Sequence, residues 1–129
     1  MRLTLFGDKH EEVANTLNNL AIVRGQQGDY AAAVPMLREA LAIRRSVLGD
    51  EHPDTSSSMN NLASVLTRLG DYEAAEPLVR EALERSRESL GAQHPRVAAY
   101  LRVLVELYEA WDKPDQAAEY RALLTEPGP

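Results

Sequence analysis

The chain has 129 residues, 44% of them hydrophobic, no cysteine, and a net charge of −6 with a pI near 5.0. That balance supplies a core and argues against wholesale disorder, removes disulfides and Cys-based zinc sites, and argues against a nucleic-acid partner, which needs a basic face for phosphates. No apolar run approaches the roughly 20 residues of a bilayer span and no secretory leader is visible, so the chain reads as soluble and cytoplasmic, with no membrane partner.

A fixed period organises the sequence. Gly7, Gly49 and Gly91 stand 42 residues apart, and so do His10, His52 and His94. A period of roughly 20–50 residues marks a stacked repeat architecture. Between 7–48 and 49–90, twenty of the 42 positions are identical, in blocks NNLA, GDY and REAL. Ala and Leu supply 18 residues each against 11 for Val and Ile together, which favours helix over strand. The expectation is one all-α domain over 1–129 with units at 7–48, 49–90 and 91–126.

Residues 1–6 come first. Arg2 to Phe6 align with Arg44 to Leu48, so they read as the remnant of a preceding repeat's second helix. Each unit then reads as two helices, about six in all plus this stub. In unit one Glu11 stands at the start of the first helix, where an acidic residue suits the positive helix end. In units two and three Pro53 and Pro95 stand there, each after a histidine, and the missing N–H costs little at that position. The first helices stop at Gly28 and Gly70, which permit a left-handed turn. Asp29 and Asp71 are placed to cap second helices at about 30–47 and 72–89. Pro35 and Pro77 fall inside those helices and predict a bend in each.

Unit two shows the faces most clearly. Met59, Leu62, Ala63, Leu66 and Leu69 form an apolar stripe at spacings of three and four, and Ser57, Asn60, Asn61, Ser64 and Arg68 form a polar one. The second helix has its own apolar stripe, Ala75, Leu78, Val79, Ala82 and Leu83. Ala63 and Ala75 are small enough to let the pair approach closely. Unit three is divergent: it keeps His94-Pro95, Leu104 and Ala117, but replaces GDY with Asp112-Lys113-Pro114. Its last helix is expected at 114–124 and is stopped by TEPGP. An atypical last repeat suits a cap. Tyr108 and Trp111 are expected to pack this last pair.

The residues Leu62, Ala63, Leu66, Gly70, Tyr72, Ala75, Val79 and Ala82 resemble the tetratricopeptide repeat signature. That family's usual period is about 34 residues. The longer unit here, with LNNLA, GDYEAAEPL and LGxxHP, is similar to the repeats of kinesin light chain. It also resembles arrays attached to bacterial signalling proteins, including Ser/Thr kinases and nucleotide-binding regulators. The resemblance implies an α-solenoid of antiparallel helix pairs. It also implies a concave groove, lined by the first helices, that holds a peptide or helix of a protein partner. By position that groove is lined by Asn15, Asn18, Asn19 and Ile22, then Ser57, Asn60, Asn61, Ser64 and Arg68, then Arg102, Val103 and Glu106. An Asn amide offers both a donor and an acceptor to a peptide backbone, and Arg68 and Arg102 suit carboxylates.

Other chemistry finds little support. The three histidines belong to different units, too far apart to share the tight shell of a zinc ion. They read as helix N-terminal or loop residues, with no metal or other cofactor. No phosphate loop, nucleophile elbow or convergent acid, base and nucleophile set is present, so the chain reads as a non-enzyme. A structural alternative is self-association: Val13, Leu17 and Leu20 form an apolar face at the front, and uncovered apolar helix faces associate.

Overall fold

A computed structural model describes the backbone of residues 3–125 and the side chains of residues 10–124. The described residues form six helices and no strand: α1 (Leu3–Gln26), α2 (Tyr30–Leu48), α3 (Pro53–Leu69), α4 (Tyr72–Leu90), α5 (Pro95–Ala110) and α6 (Pro114–Thr125). None of them is long and apolar enough to cross a membrane. Successive helices pack on one another along the whole chain, as α1/α2, α3/α4 and α5/α6 pairs joined by α2/α3 and α4/α5 contacts. In addition α3 touches α5, whereas the second helices make no comparable contact among themselves. Asn61 of α3 also bonds Asn18 of α1, so neighbouring first helices meet at both joints.

The apolar stripes explain the stacking. Met59, Leu62, Ala63 and Leu66 of α3 are buried, as are Ala75, Val79, Ala82 and Leu83 of α4, with Leu78 half-buried. Ala63 and Ala75 are both fully enclosed, as their small size anticipates. Leu69 departs from the expected stripe and is exposed, because it is the last helical residue before the turn.

Helix ends follow the punctuation. Gly70 closes α3 in the left-handed conformation, and Gly28 has a similar φ of 83°. Asp29 caps α2 by accepting from Ala32 N at 3.3 Å. Asp71 occupies the same place before α4, but its side chain makes no capping bond, contrary to expectation. Both α2 and α4 continue through Pro35 and Pro77, which lie on the exposed side.

At the front, residues 3–6 are helical, as expected of the stub, and run on into α1, which is unbroken from Leu3 to Gln26, through Gly7. Residues 1 and 2 of the expected remnant lie outside the described residues. The physical reason for the run-on lies at Glu11. Pro53 and Pro95 begin α3 and α5, and a proline there disfavours helix in the residue before it. Glu11 places no such restriction on His10, so the helix passes through.

Candidate functional site

The row expected to meet a partner lies on the flanks of the first helices. On it Asn15, Asn19, Ile22, Arg68, Arg102 and Glu106 are exposed, and Asn18, Ser57, Asn60, Asn61, Ser64 and Val103 are half-buried. All twelve sequence-derived positions therefore lie on first helices, although several are already engaged. Asn61 Nδ2 donates to Asn18 Oδ1 at 3.1 Å, which ties α3 to α1. Asn15 Oδ1 accepts from Arg44 Nη2 at 2.6 Å. The Arg68 guanidinium lies 6.0 Å from the centre of the Tyr30 ring, at the outer limit of a cation–π contact. Among the described residues Asn19, Ser64, Arg102 and Glu106 have no hydrogen-bond or ion-pair partner. Asn60 has no partner either, but its Oδ1 is buried, so these four are the unpartnered groups of the row that reach the surface.

Arg44 was not legible as a site residue, yet it organises one end of the row. Its side chain is buried; Nη1 donates to Ser58 Oγ at 2.8 Å and to the Asp54 carbonyl at 3.2 Å. Glu11 lies 3.8 Å from Nε and supplies a counter-charge. One cation thus joins α1, α2 and the start of α3. A signal did exist in the repeat. One period on, Ser86 replaces Arg44 and Tyr100 replaces Ser58. A large–small pair in one unit becomes a small–large pair in the next, which marks two positions that face each other.

The histidines have a clear role. His52 Nδ1 accepts from Asp54 N at 3.0 Å, and His94 Nδ1 accepts from Arg96 N at 3.1 Å. Each caps the helix that its following proline begins, satisfying a backbone N–H that the first turn leaves unpaired. Among the described residues no three His, Asp or Glu side chains converge as metal ligands would.

The far end of the stack is aromatic. Tyr72 and Tyr108 stack on Trp111 with centroids 5.7 and 6.4 Å apart, and Tyr120 lies 5.7 Å from Tyr108. Lys113 Nζ sits 4.0 Å above the Trp111 ring. Tyr108 Oη donates to Glu76 Oε2 at 2.5 Å. Burial pushes the Tyr108 hydroxyl well above the usual tyrosine range, and the Glu76 bond, which needs the proton, pushes it further. These rings pack the last pair, as expected.

The comparisons agree with this geometry. The tetratricopeptide repeat profile matches residues 2–46, 12–87 and 54–120. No curated protein matches the chain by sequence. Among solved structures, BtubC (BKLC) from P. vanneervenii is similar, with a TM-score of 0.80 and 27% identity over 86% of this chain and 44% of that one. The nearly identical TPR-like repeats of a kinesin light chain-like protein from Podosopora anserina superpose with a TM-score of 0.77 at 24% identity, over 86% of this chain and 53% of that one. The chain thus spans about half the length of these neighbours. Repeats of this kind are in general scaffolds for protein interaction, stacked so that one face is extended and available. With the profile covering nearly the whole chain and the paired helices stacked as described, the chain belongs to the tetratricopeptide repeat family, in its kinesin-light-chain-like form.

Proposed function

We propose that the chain is a non-catalytic scaffold whose first-helix face holds a peptide or helix of a protein partner. One observation carries this reading: Asn19, Ser64, Arg102 and Glu106 lie on that face with no partner in the protein, beside exposed Ile22 and Arg68. Amide, hydroxyl and guanidinium groups held on rigid helices suit the backbone and carboxylates of an extended segment. Ile22 supplies an apolar contact.

A random-peptide display selection against the whole chain tests it. Selected peptides should lose at least about tenfold in affinity to N19A or R102A, the loss of one good hydrogen bond to a charged or polar group. Peptides that bind both variants as tightly as the parent would refute the assignment.

A second reading rests on a separate observation. Val13, Leu20 and Val23 of α1 are 44–47% exposed. Their counterparts one unit on, Thr55 and Leu62, are buried against the preceding second helix, and Val65 is half-buried. Leu17, half-buried, has Met59, fully buried, as its counterpart in the same comparison. The cleft of Val13, Ala42, Ile43 and Val47 extends the apolar face onto α2, with His10, Glu39 and Ser46 at its polar edge. We take the occupant to be a second copy of this chain. Sedimentation should then show a dimer that Leu20→Glu dissolves; a strict monomer at high concentration would refute it.

A further inference from the structure

At the joint of the second and third pairs, four side chains form one group. Tyr108 Oη of α5 donates to Glu76 Oε2 of α4 at 2.5 Å, and Arg80 Nη1 lies 3.6 Å from the same oxygen. The Tyr120 hydroxyl of α6 lies beside Arg80, and the Tyr108 and Tyr120 rings stack with centroids 5.7 Å apart. One period earlier, at the joint of the first and second pairs, the same four places hold Val34, Arg38, Leu66 and Leu78. The arginine is kept, while its carboxylate and both rings are replaced by aliphatic side chains. Among the described residues Arg38 has no hydrogen-bond or ion-pair partner.

Where the rings are missing there is open space. A cleft of about 360 Å³ lies between α2 and α4, with buried Leu62 and Leu66 of α3 as its floor and Leu41, Pro77 and Leu78 as its walls. Arg38 is the one charged residue of its lining, and no acidic residue opposes it there. Further along, Arg45 Nη2 bonds Glu81 Oε1 at 3.4 Å and ties the two walls together. The cleft that remains at the other joint is different: Arg80, Glu81, Glu84, Arg87 and Glu88 dominate it. A mostly apolar lining with one placed charge, in a volume of roughly 300–1,000 Å³, is the pattern of a small-molecule site. We propose that the cleft between α2 and α4 binds a small aromatic carboxylate. Its ring lies against Leu66 and Leu78, where the other joint has tyrosine rings. Its carboxylate pairs with Arg38, as Glu76 does with Arg80, and the planar guanidinium suits a two-oxygen partner. The second joint carries within the chain the groups that the first takes from outside. The site is separate from the first-helix row, so either can fail without the other.

Titration of the whole, isotopically labelled chain with hydrocinnamate tests the site. Saturable amide shifts should gather around Arg38, Leu62, Leu66 and Leu78, with a Kd on the order of millimolar, as suits so few ligand atoms. Arg38→Ala changes an exposed side chain and should weaken binding at least about tenfold, the loss of a hydrogen bond to a charged group. Hydrocinnamyl alcohol, with the same ring and no charge, should bind weaker by a similar factor. Leu78→Tyr places in the cleft the ring that Tyr120 supplies at the other joint and should abolish binding; R38A keeps the test intact if L78Y does not fold. Preference for the acid, lost in every folded variant, supports the site. No saturable shift in the parent, equal affinity for acid and alcohol, or unchanged binding in a folded variant would overturn it.

Discussion

Both joints between helix pairs bury apolar side chains, but the joint of the first and second pairs adds polar bonds at Arg44 and Asn61, whereas the joint of the second and third adds the Tyr72–Trp111–Tyr108 rings. The first two units share the blocks NNLA, GDY and REAL, whereas the third, across the second joint, keeps only His94-Pro95, Leu104 and Ala117 of the common pattern. The shared positions build the helix pairs: Ala21 and Ala63 or Ala33 and Ala75 are buried in equivalent places. The joints are built by positions that differ, Arg44 against Ser86, Ser58 against Tyr100 and Asn61 against Val103. In a stack whose stability sums over units and interfaces, related units can be joined by different contacts.

The largest expected effect is at Arg44. Arg44→Ala removes a buried cation from Ser58, Asn15 and the Asp54 carbonyl. It should cost about 3 kcal/mol in urea unfolding, the lower range for breaking a buried charged network. Importing the second joint's pair, R44S with S58Y, should recover part of that loss relative to R44S alone; strict additivity in the double-mutant cycle would show that the two positions do not face each other. Next comes Trp111→Ala, expected at about 2–3 kcal/mol, below the full-burial figure because the ring is half-buried. It should destabilise the third pair in preference to the first.

Tyr108→Phe is a smaller change, about 1–2 kcal/mol, since Glu76 loses its donor. It also changes the pH response. The Tyr108 and Tyr100 hydroxyls are both raised by burial, so their neutral forms are favoured in the fold. That contribution is present in full below the ordinary tyrosine value of about 10 and is lost as pH rises through the raised values. Thermal melts should therefore fall off above about pH 10, and less steeply in Y108F. The smallest effect is at the caps. His52→Ala and His94→Ala each remove one capping acceptor, at about 1 kcal/mol. Equal losses at the two sites would show that the joints, and not the helix starts, carry the asymmetry.

Much of this fold was legible. The 42-residue period, the His-Pro starts and the Gly70 turn located five helices to within a residue or two, because each rests on local chemistry. Less legible was the front of α1: the helical residues 3–6, aligned with Arg45–Leu48, run on into the next helix because no proline stands at Glu11 to interrupt it. Among the site residues, placement on the first helices was readable from the 3.6-residue periodicity, whereas their availability was not. Asn18 and Asn61 look identical to Asn19 and Asn60 in sequence; only packing shows that the first two satisfy each other. Arg44 escaped because burial of a cation depends on Ser58 and Asn15 from other helices, and no local pattern reports that.

The central claim is that the first-helix face receives the partner. Amide chemical-shift mapping of the isotopically labelled chain, titrated with a display-selected peptide, tests it most directly. The account predicts shifts concentrated on Asn19, Ser64, Arg68, Arg102 and Glu106, with α2, α4 and α6 largely unmoved. Shifts confined to the second helices, around Arg80, Glu84 and Arg87 of α4, would contradict it.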